Sequence, residues 1–226
     1  MIRRNTGLSS GKLLDVDCGT GDRLSRFAEA GFDVRGMDIK PELVDYVREE
    51  RGFEADAGTL DTVSYSHETF DIVISHWVLE HVLDIHVILK KVYDMLKLDG
   101  WFVAEIPLAD SLQVQMLRGR WSSFSEAPRH LAVPSHEGVR RAFRAGRFSD
   151  IRIAPSSIMD CSSSFALSII PGATAKHAYE SPSLWTHAPR IAAGLLILLH
   201  TPLAAIENHL LKRPAGSLIF AQKPPA

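Results

Sequence analysis

A glycine-rich turn between a short apolar strand and a helix constrains this 226-residue chain more than any other feature. Leu13 to Val16 predict the strand, Asp17-Cys18-Gly19-Thr20-Gly21 predict the turn, and apolar residues at helical spacing follow from Leu24. In such a turn a ligand approaches the backbone closely, and the N-terminus of the helix offers it unpaired N–H groups. Gly19 and Gly21 are therefore candidate ligand-binding residues, with a plain strand-to-helix turn as the alternative.

An acidic residue stands near the end of the second predicted strand, Val34 to Ile39. Asp38 follows the glycine turn by about 20 residues, the spacing at which a carboxylate accepts hydrogen bonds from ribose hydroxyls in dinucleotide-binding folds. The alternative role for Asp38 is to cap the helix that begins near Pro41. Together the two signals favour a ligand that contains a nucleoside.

Apolar strands and amphipathic helices alternate along most of the remaining chain. Further strands are predicted at residues 53–55, 70–75, 101–106, 151–154 and 217–222, with helices between most of them. This alternation predicts an α/β fold with a doubly wound, mostly parallel, seven-stranded sheet. The length is that of one domain, so residues 1–226 are predicted to form a single domain.

Residues 155–213, between the last two predicted strands, form an unusually apolar insertion that we expect to be helical. They include seven charged side chains, about half of the density expected for a globular chain. The longest apolar run, Ile191 to Leu199, is shorter than the roughly 20 residues that span a bilayer. The apolar face within residues 191–206 is expected to line the core or an acceptor pocket, with peripheral membrane contact as the alternative.

Charge and cysteine usage argue against several classes of function. The formal net charge of −2 provides no broad positive field, so a nucleic acid partner is not expected. Cys18 and Cys161 are too few for a disulfide framework and suit a reducing compartment. No apolar signal segment follows Arg3 and Arg4, and we therefore expect a cytoplasmic location.

Four segments together resemble the motifs of the class I S-adenosylmethionine-dependent methyltransferases. They are residues 13–21, Gly36-Met37-Asp38-Ile39, Phe70-Asp71-Ile72-Val73 and Val78-Leu79-Glu80-His81-Val82. Residues 96–100 resemble that family's turn into its fifth strand, and Pro128-Arg129-His130-Leu131 resembles a branch that methylates small molecules. The resemblance covers roughly residues 12–154 and the closing strand, and it implies that S-adenosylmethionine is the cofactor.

The resemblance also assigns roles to individual residues. The residues implied to bind the cofactor are Asp15, Asp17, Cys18, Gly19, Gly21, Asp38, Ile39, Asp56, Ala57, Ser75 and His76. Asp15 and the glycine turn would hold the methionine part of the cofactor, and Asp38 would hold the ribose. Asp56 with Ala57 would hold the adenine, and Ser75 with His76 would form the floor beneath it. The alternative for Asp56 and Ser75 is a capping or turn role.

Asp17 departs from the family pattern, which has a glycine at this position. A carboxylate there would crowd or repel the methionine carboxylate of the cofactor. A cofactor-binding or interaction protein with a decayed methyltransferase site is therefore the alternative function.

Methyl transfer from a sulfonium is an in-line displacement in which the protein positions the acceptor and supplies at most one general base. His130 is the first candidate for that base and His81 is the second. The alternative for His130 is to fix its own loop. A metal is not expected, because His76, Glu80, His81 and His86 lack a ligand spacing such as H-E-x-x-H.

The leading expectation is an enzyme that methylates a small-molecule acceptor, with oxygen as the expected acceptor atom and a lipophilic acceptor as one option. The Asp-Pro-Pro-Tyr type of motif used to methylate exocyclic base nitrogens is absent after the fourth strand, which argues against DNA. A nicotinamide dehydrogenase ranks last, because Leu24 stands at the third glycine position of its fingerprint.

Overall fold

The fold is taken from a computed structural model that describes residues 1–170 and 187–225, apart from the side chains of residues 187–190. The chain divides into two compact units. The first unit contains residues 1–105, residues 138–153 and the chain from residue 219 onwards. The second unit contains residues 106–137 and the described part of 154–218.

The predicted apolar insertion lies in the second unit, and its residues 171–186 lie outside the described residues. The organisation of the whole chain as a single domain stays a prediction.

Seven strands form one sheet. Their bounds are β1 Gly11–Val16, β2 Phe32–Asp38, β3 Glu54–Ala57, β4 Phe70–His76, β5 Leu96–Pro107, β6 Ser149–Pro155 and β7 Gly216–Gln222. The strand order is β3-β2-β1-β4-β5-β7-β6, and the four neighbouring pairs from β3 to β5 are parallel. The α/β prediction with a mostly parallel, seven-stranded sheet is confirmed.

The order of the strands reverses between β1 and β4. After β1, the chain adds β2 and β3 on one side, and it then returns to place β4 on the other side of β1. Ligands of open α/β sheets bind at such a reversal, in the crevice at the carboxyl ends of the strands. The topology therefore marks the ends of β1, β2 and β4 as the place for a binding site.

Nine α-helices connect or follow the strands among the described residues. They are α1 Ile2–Thr6, α2 Asp22–Glu29, α3 Pro41–Glu50, α4 Ile85–Met95, α5 Leu112–Leu117, α6 Ser122–Ser125, α7 His136–Ala145, α8 Ile158–Ile169 and α9 His187–His209. Short 3-10 turns lie at Leu79–His81 and Arg118–Arg120.

The core of the first unit follows directly from the sequence pattern. The consecutive residues Ile72, Val73 and Ile74 of β4 are fully buried, as expected for a central parallel strand. Helix α4 buries its apolar stripe, which includes Leu89. Asp84 caps this helix, because its side chain accepts a hydrogen bond from the backbone N–H of His86 at 2.8 Å.

Strand β5 differs from its prediction at its start. It was predicted to begin at Trp101 after a turn, but it begins at Leu96. The pairing with β4 jumps from Phe70–Leu96 to Ile72–Trp101, so the extra residues form a bulge. Asp99 adopts a positive φ of 61° within it. A bulge of this kind has the same Asp-Gly signature as a turn, which explains the difference.

Helix α9 is longer than the apolar run that predicted it. The run ends at Leu199, but the helix continues through Pro202 to His209. Among the described residues, Ile191–His209 is the one helix long and apolar enough to cross a membrane by length and composition. Its mean hydropathy is 1.5, and 22% of that window is buried.

Candidate active site

A cleft of about 550 Å³ lies in the first unit at the reversal of strand order. The ends of β1 and β2 contribute Val16, Asp17, Met37 and Asp38 to its lining. The residues that follow β3 and β4 form other parts of the wall. The cleft is within the size range of small-molecule sites.

Asp38 ends β2 and is the buried acidic group of this cleft. One carboxylate oxygen accepts a hydrogen bond from the N–H of Gly19 at 2.9 Å, and the other accepts one from the N–H of Lys40 at 2.9 Å. Each oxygen keeps a second lone pair for a ligand hydroxyl. Helix α3 begins at Pro41 with no side-chain cap, so Asp38 does not cap it.

The glycine turn has the backbone shape that excludes most side chains. Gly19 has a φ of 57° and Gly21 has a φ of 76°, both in the left-handed region. No atom lies within 4 Å of the position that a Cβ of Gly19 would take, so a ligand can approach the backbone there. Gly21 immediately precedes α2, whose first N–H groups have no intrahelical partners. Cys18 is buried beneath the turn.

Asp15 lies below the turn rather than along the cleft. Its fully buried carboxylate receives two hydrogen bonds from Arg23, at 3.1 Å from Nε and 3.0 Å from Nη2. Burial raises the pKa of Asp15 to about 6, although the guanidinium of Arg23 opposes the shift. Arg23 also donates to the carbonyl oxygen of Asp17 at 2.8 Å. The ion pair of Asp15 and Arg23 thus holds the turn in place. The sequence did not indicate Arg23 as a site residue, because its pattern is that of an ordinary charged residue on a helix surface.

Asp17 is the least expected residue of the cleft. Its φ is 65°, a conformation that glycine adopts without strain and that aspartate tolerates better than most residues. Its N–H donates to the carbonyl oxygen of Met37 at 2.8 Å, which ties the start of the turn to β2. Burial and the neighbouring Asp38 carboxylate raise the pKa of Asp17. Two acidic groups therefore face the same end of the cleft.

Asp56, assigned to the adenine by resemblance, lies in an ion pair on β3 instead of in the cleft lining. It accepts hydrogen bonds from Arg35 Nε at 2.6 Å and from the Tyr65 hydroxyl at 2.8 Å. These donors lower the pKa of its carboxyl group. Ala57 is exposed at the strand end. The wall at this point is formed by the next four residues, 58–61, which sequence reasoning did not select.

Ser75 and His76, assigned to the floor, are covered by other groups. Ser75 is buried, and its Oγ has no hydrogen-bond partner among the described atoms. Nδ1 of His76 lies 2.6 Å from a carboxylate oxygen of Glu105 on β5. Trp77 and Val78 line the cleft directly after β4, and the sequence did not indicate Trp77 as a site residue. Trp77 has a positive φ of 56°, which nothing in the sequence predicts for a tryptophan.

The two candidate bases lie in different units. His81, in the 3-10 turn Leu79–His81, lines the cleft together with Asp17 and Asp38. His130 lies in the second unit, where its Nδ1 is 2.7 Å from the carbonyl oxygen of Ser123. Its Nε2 is 3.6 Å from Glu126. Both contacts are with residues of its own loop, and the choice between the base role and the loop-fixing role of His130 stays a prediction.

A family model described as a methyltransferase domain matches residues 3–150. The chain belongs to this family. The resemblance to class I S-adenosylmethionine-dependent methyltransferases is confirmed, and S-adenosylmethionine is the cofactor of that class. Asp17, at the start of the glycine turn, and Ile39 thus line a cleft at the place where this fold binds ligands.

Curated relatives match part of the chain. A ubiquinone biosynthesis O-methyltransferase from Chelativorans sp. (strain BNC1) is 35% identical over 101 residues, which are 42% of this chain and 40% of the relative. A protein of the same name from Bradyrhizobium diazoefficiens is 28% identical over 145 residues, which are 62% of this chain and 51% of the relative. The chain spans about half, or less, of the length of these relatives.

Solved structures share the fold at low sequence identity. The cyclase SpnF superposes with a TM-score of 0.64 and 18% identity, over 100% of this chain and 79% of SpnF. A phosphoethanolamine N-methyltransferase from Haemonchus contortus, in complex with S-adenosyl-L-methionine, gives a TM-score of 0.63 and 17% identity. That match covers 99% of this chain and 51% of the other. One fold thus carries differently named activities, and the activity must be argued from the site.

The cleft residues fit the cofactor at the nucleoside end. Asp38 has lone pairs for ribose hydroxyls, Gly19 leaves open space at the backbone, and apolar residues such as Leu60 and Ile88 line the rest. At the amino acid end, the Asp17 carboxylate would lie near a second negative charge unless it is protonated or turned away.

Proposed function

We propose that this chain is an enzyme that transfers the methyl group of S-adenosylmethionine to an oxygen of a small, lipophilic acceptor. The proposal rests on one hydrogen bond at the reversal of strand order, which the N–H of Gly19 donates to the carboxylate of Asp38 at 2.9 Å. This is where the fold binds nucleosides, and the family assignment names the reaction.

Binding of the cofactor is assigned to backbone and side chains of the first unit. Asp38 would accept hydrogen bonds from the ribose hydroxyls, and the turn at Gly19 would receive the amino acid part. Leu60 and Trp77 offer apolar surface to the adenine. When bound, the cofactor supplies an electrophilic methyl group on its sulfonium. The protein's share of the reaction is to position the acceptor and to exclude water.

His81 is the better placed of the two candidate bases. It lines the cleft, and His130 does not belong to that lining. The imidazole of a histidine can accept the proton of an acceptor hydroxyl as the oxygen is methylated. We assign the base role to His81 and a loop-fixing role to His130.

The acceptor class is inferred from the outer part of the same cleft. Ile39, Leu83 and Val87 line it and are exposed to solvent, although all three are apolar. Such a mouth favours an acceptor with an apolar body and few charges. The relatives named above take part in the biosynthesis of ubiquinone, a name that fits a lipophilic phenolic acceptor. A reducing, cytoplasmic compartment belongs to the same proposal, because Cys18 and Cys161 are free thiols.

The test is a methyl-transfer assay on the full chain. Cofactor labelled in its methyl group is incubated with two catechols, one that carries a long prenyl chain and one without it, and the labelled product is extracted. We expect the prenylated catechol to be methylated at oxygen with the higher kcat/KM. His81→Gln should lower kcat by about 10²–10⁴-fold without weakening binding of S-adenosylhomocysteine. His86→Gln, on the neighbouring helix, is the matched control and should retain activity.

Two outcomes would contradict the proposal. Binding of S-adenosylhomocysteine without turnover of any phenolic, amine or carbon acceptor would support the alternative, a decayed site. Full activity of His81→Gln with loss of activity in His130→Gln would return the base role to His130.

A further inference from the structure

Helix α9 exposes its apolar face. The exposed residues recur at spacings of three and four, which place them on one side of the helix. The large apolar side chains among them are Ile191, Leu195, Leu198, Leu199 and Ile206, and Leu210 and Leu211 follow the helix. Leu198 and Leu199 are 70% and 76% exposed. We call these seven residues the leucine face.

The opposite side of the same helix is polar and buried. His200, Glu207 and Asn208 are all at most 4% exposed, and they point into the second unit. Nδ1 of His200 lies 3.3 Å from the hydroxyl of Ser162 on α8, and its ring stacks on Phe165 with the centroids 4.0 Å apart. A helix in water normally shows the reverse arrangement.

Directed hydrogen bonds hold this inverted arrangement. Gln113 donates to Glu207 at 3.2 Å and to the carbonyl oxygen of Cys161 at 2.8 Å. The Trp121 indole donates to the side-chain oxygen of Gln113 at 3.3 Å. The amide of Asn208 lies within 3.4 Å of the carbonyl oxygen of Ser156. Rotation of α9 to bury its leucines would break this network and expose its polar groups, so the leucine face is fixed outward.

Helix α8 packs against α9 through small side chains. Cys161, Ser162 and Ala166 are buried on α8, and Ala204 is buried on α9. Small and polar residues between helices, with larger apolar residues outside, are the pattern of helix pairs in contact with lipid.

The charges next to the leucine face indicate the kind of surface that it meets. Lys212 and Arg213 follow Leu211 and are exposed. Glu207 is the only acidic residue between residues 191 and 213, and it is buried. An apolar stripe bordered by basic residues and free of exposed acids is complementary to an anionic bilayer, in which headgroup phosphates lie beside acyl chains.

We propose that the leucine face docks on the surface of an anionic lipid bilayer, with Lys212 and Arg213 at the phosphates. The helix would lie in the interface, because its inward side carries the buried polar residues His200, Glu207 and Asn208, whereas its outward side is apolar. This docking goes beyond methyl transfer and does not depend on it: loss of docking leaves turnover of a soluble catechol unchanged, whereas failure of the cofactor site leaves docking intact.

The experiment is sedimentation of the full chain with vesicles of phosphatidylcholine alone or with one quarter phosphatidylglycerol. We expect binding to the anionic vesicles, a loss of at least about tenfold in Leu199→Glu, and increased release at high salt. Leu98→Glu, at a leucine that is 44% exposed on β5, is the matched control and should bind as the parent does.

A second pair of variants tests the basic residues. Lys212→Ser with Arg213→Ser should lose about thirtyfold in affinity for anionic vesicles, at about 1 kcal/mol per basic residue near the surface, and little for neutral ones. Arg3→Ser with Arg4→Ser, an exposed pair on α1, is the control and should bind unchanged.

Three results would overturn the proposal. The first is no binding to either vesicle, or equal binding by the parent and Leu199→Glu. The second is resistance of bound protein to alkaline carbonate extraction, which would mean that α9 crosses the bilayer. The third is a dimer in the absence of lipid that Leu199→Glu separates, which would mean that a second copy covers the leucine face.

Discussion

Helices α4 and α9 are both rich in apolar residues, but they use them in opposite ways. In the first unit, α4 buries Leu89 and its neighbours and points Lys90 toward solvent. In the second unit, α9 buries Glu207 and points Leu198 outward. The hydrophobic effect favours the removal of apolar surface from water, whether protein or lipid replaces the water. An apolar segment therefore predicts burial, but it does not say whether protein or lipid covers it.

The largest effect that separates the two helices is on stability. Leu89→Ala removes a fully buried side chain and should lower the free energy of unfolding by about 2–5 kcal/mol. Leu198→Ala removes an exposed side chain of the same size and should change it by less than about 0.5 kcal/mol in the absence of lipid. Thermal unfolding of both variants in detergent-free buffer measures the difference. Equal losses would mean that the leucine face is buried in solution.

A smaller effect concerns the polar interior of the second unit. Gln113→Leu leaves the Trp121 N–H and the Glu207 carboxylate buried without the hydrogen bonds that Gln113 makes to them, at about 1–3 kcal/mol for each group. We expect faster hydrogen exchange in α8 and α9. Gln115→Leu, at an exposed position of the same helix, should leave exchange unchanged. Unchanged exchange in Gln113→Leu would show that the network does not hold α9.

The smallest effect concerns Asp17 at the polar edge of the cleft. Asp17→Gly removes a charge close to Asp38 and relieves the strain of a side chain at positive φ, and it should tighten cofactor binding by about tenfold. Asp17→Asn removes the charge but keeps the φ, so calorimetry of both variants separates the two contributions. Weaker binding by both variants would show that the carboxylate contacts the cofactor productively.

The same residue predicts a pH dependence with a definite sign. The pKa of Asp17 is raised in the folded protein, so its carboxyl group takes up a proton while the ordinary carboxylates stay ionised. Protonation removes the like charge, and the affinity of the parent should therefore rise as the pH falls through that pKa. Asp17→Gly should lack this rise when binding is measured over the same pH range.

The sequence predicted the sheet and the position of Asp38 because both depend on local signals. Periodicity places the strands, and a strand end is set by the residues next to it. Asp56 was assigned to the adenine by resemblance, but its ion pair with Arg35 forms across two strands and depends on their register. Sequence patterns did not indicate Arg23 and Trp77 as site residues for the same reason. Their roles come from contacts that the turn and the backbone make in three dimensions.

The second unit was less predictable than the first. The run of leucines predicted an apolar helix. The orientation of that helix is set by three polar residues with no shared spacing, Gln113, Asn208 and His200. Sequence patterning assumes that polar residues face water. That assumption fails where buried polar groups satisfy one another.

We propose that the carboxylate of Asp38, and not that of Asp56, anchors the cofactor. Calorimetric titration of S-adenosylhomocysteine into the parent, Asp38→Ala and Asp56→Ala tests it most directly, with thermal unfolding to confirm that each variant is folded. We expect the parent to bind and Asp56→Ala to stay within about threefold of its affinity. Asp38→Ala should lose at least about a hundredfold in affinity, since hydrogen bonds to charged groups contribute about 1.5–3 kcal/mol each. Retained binding in a folded Asp38→Ala, with binding lost in Asp56→Ala, would contradict the site described above.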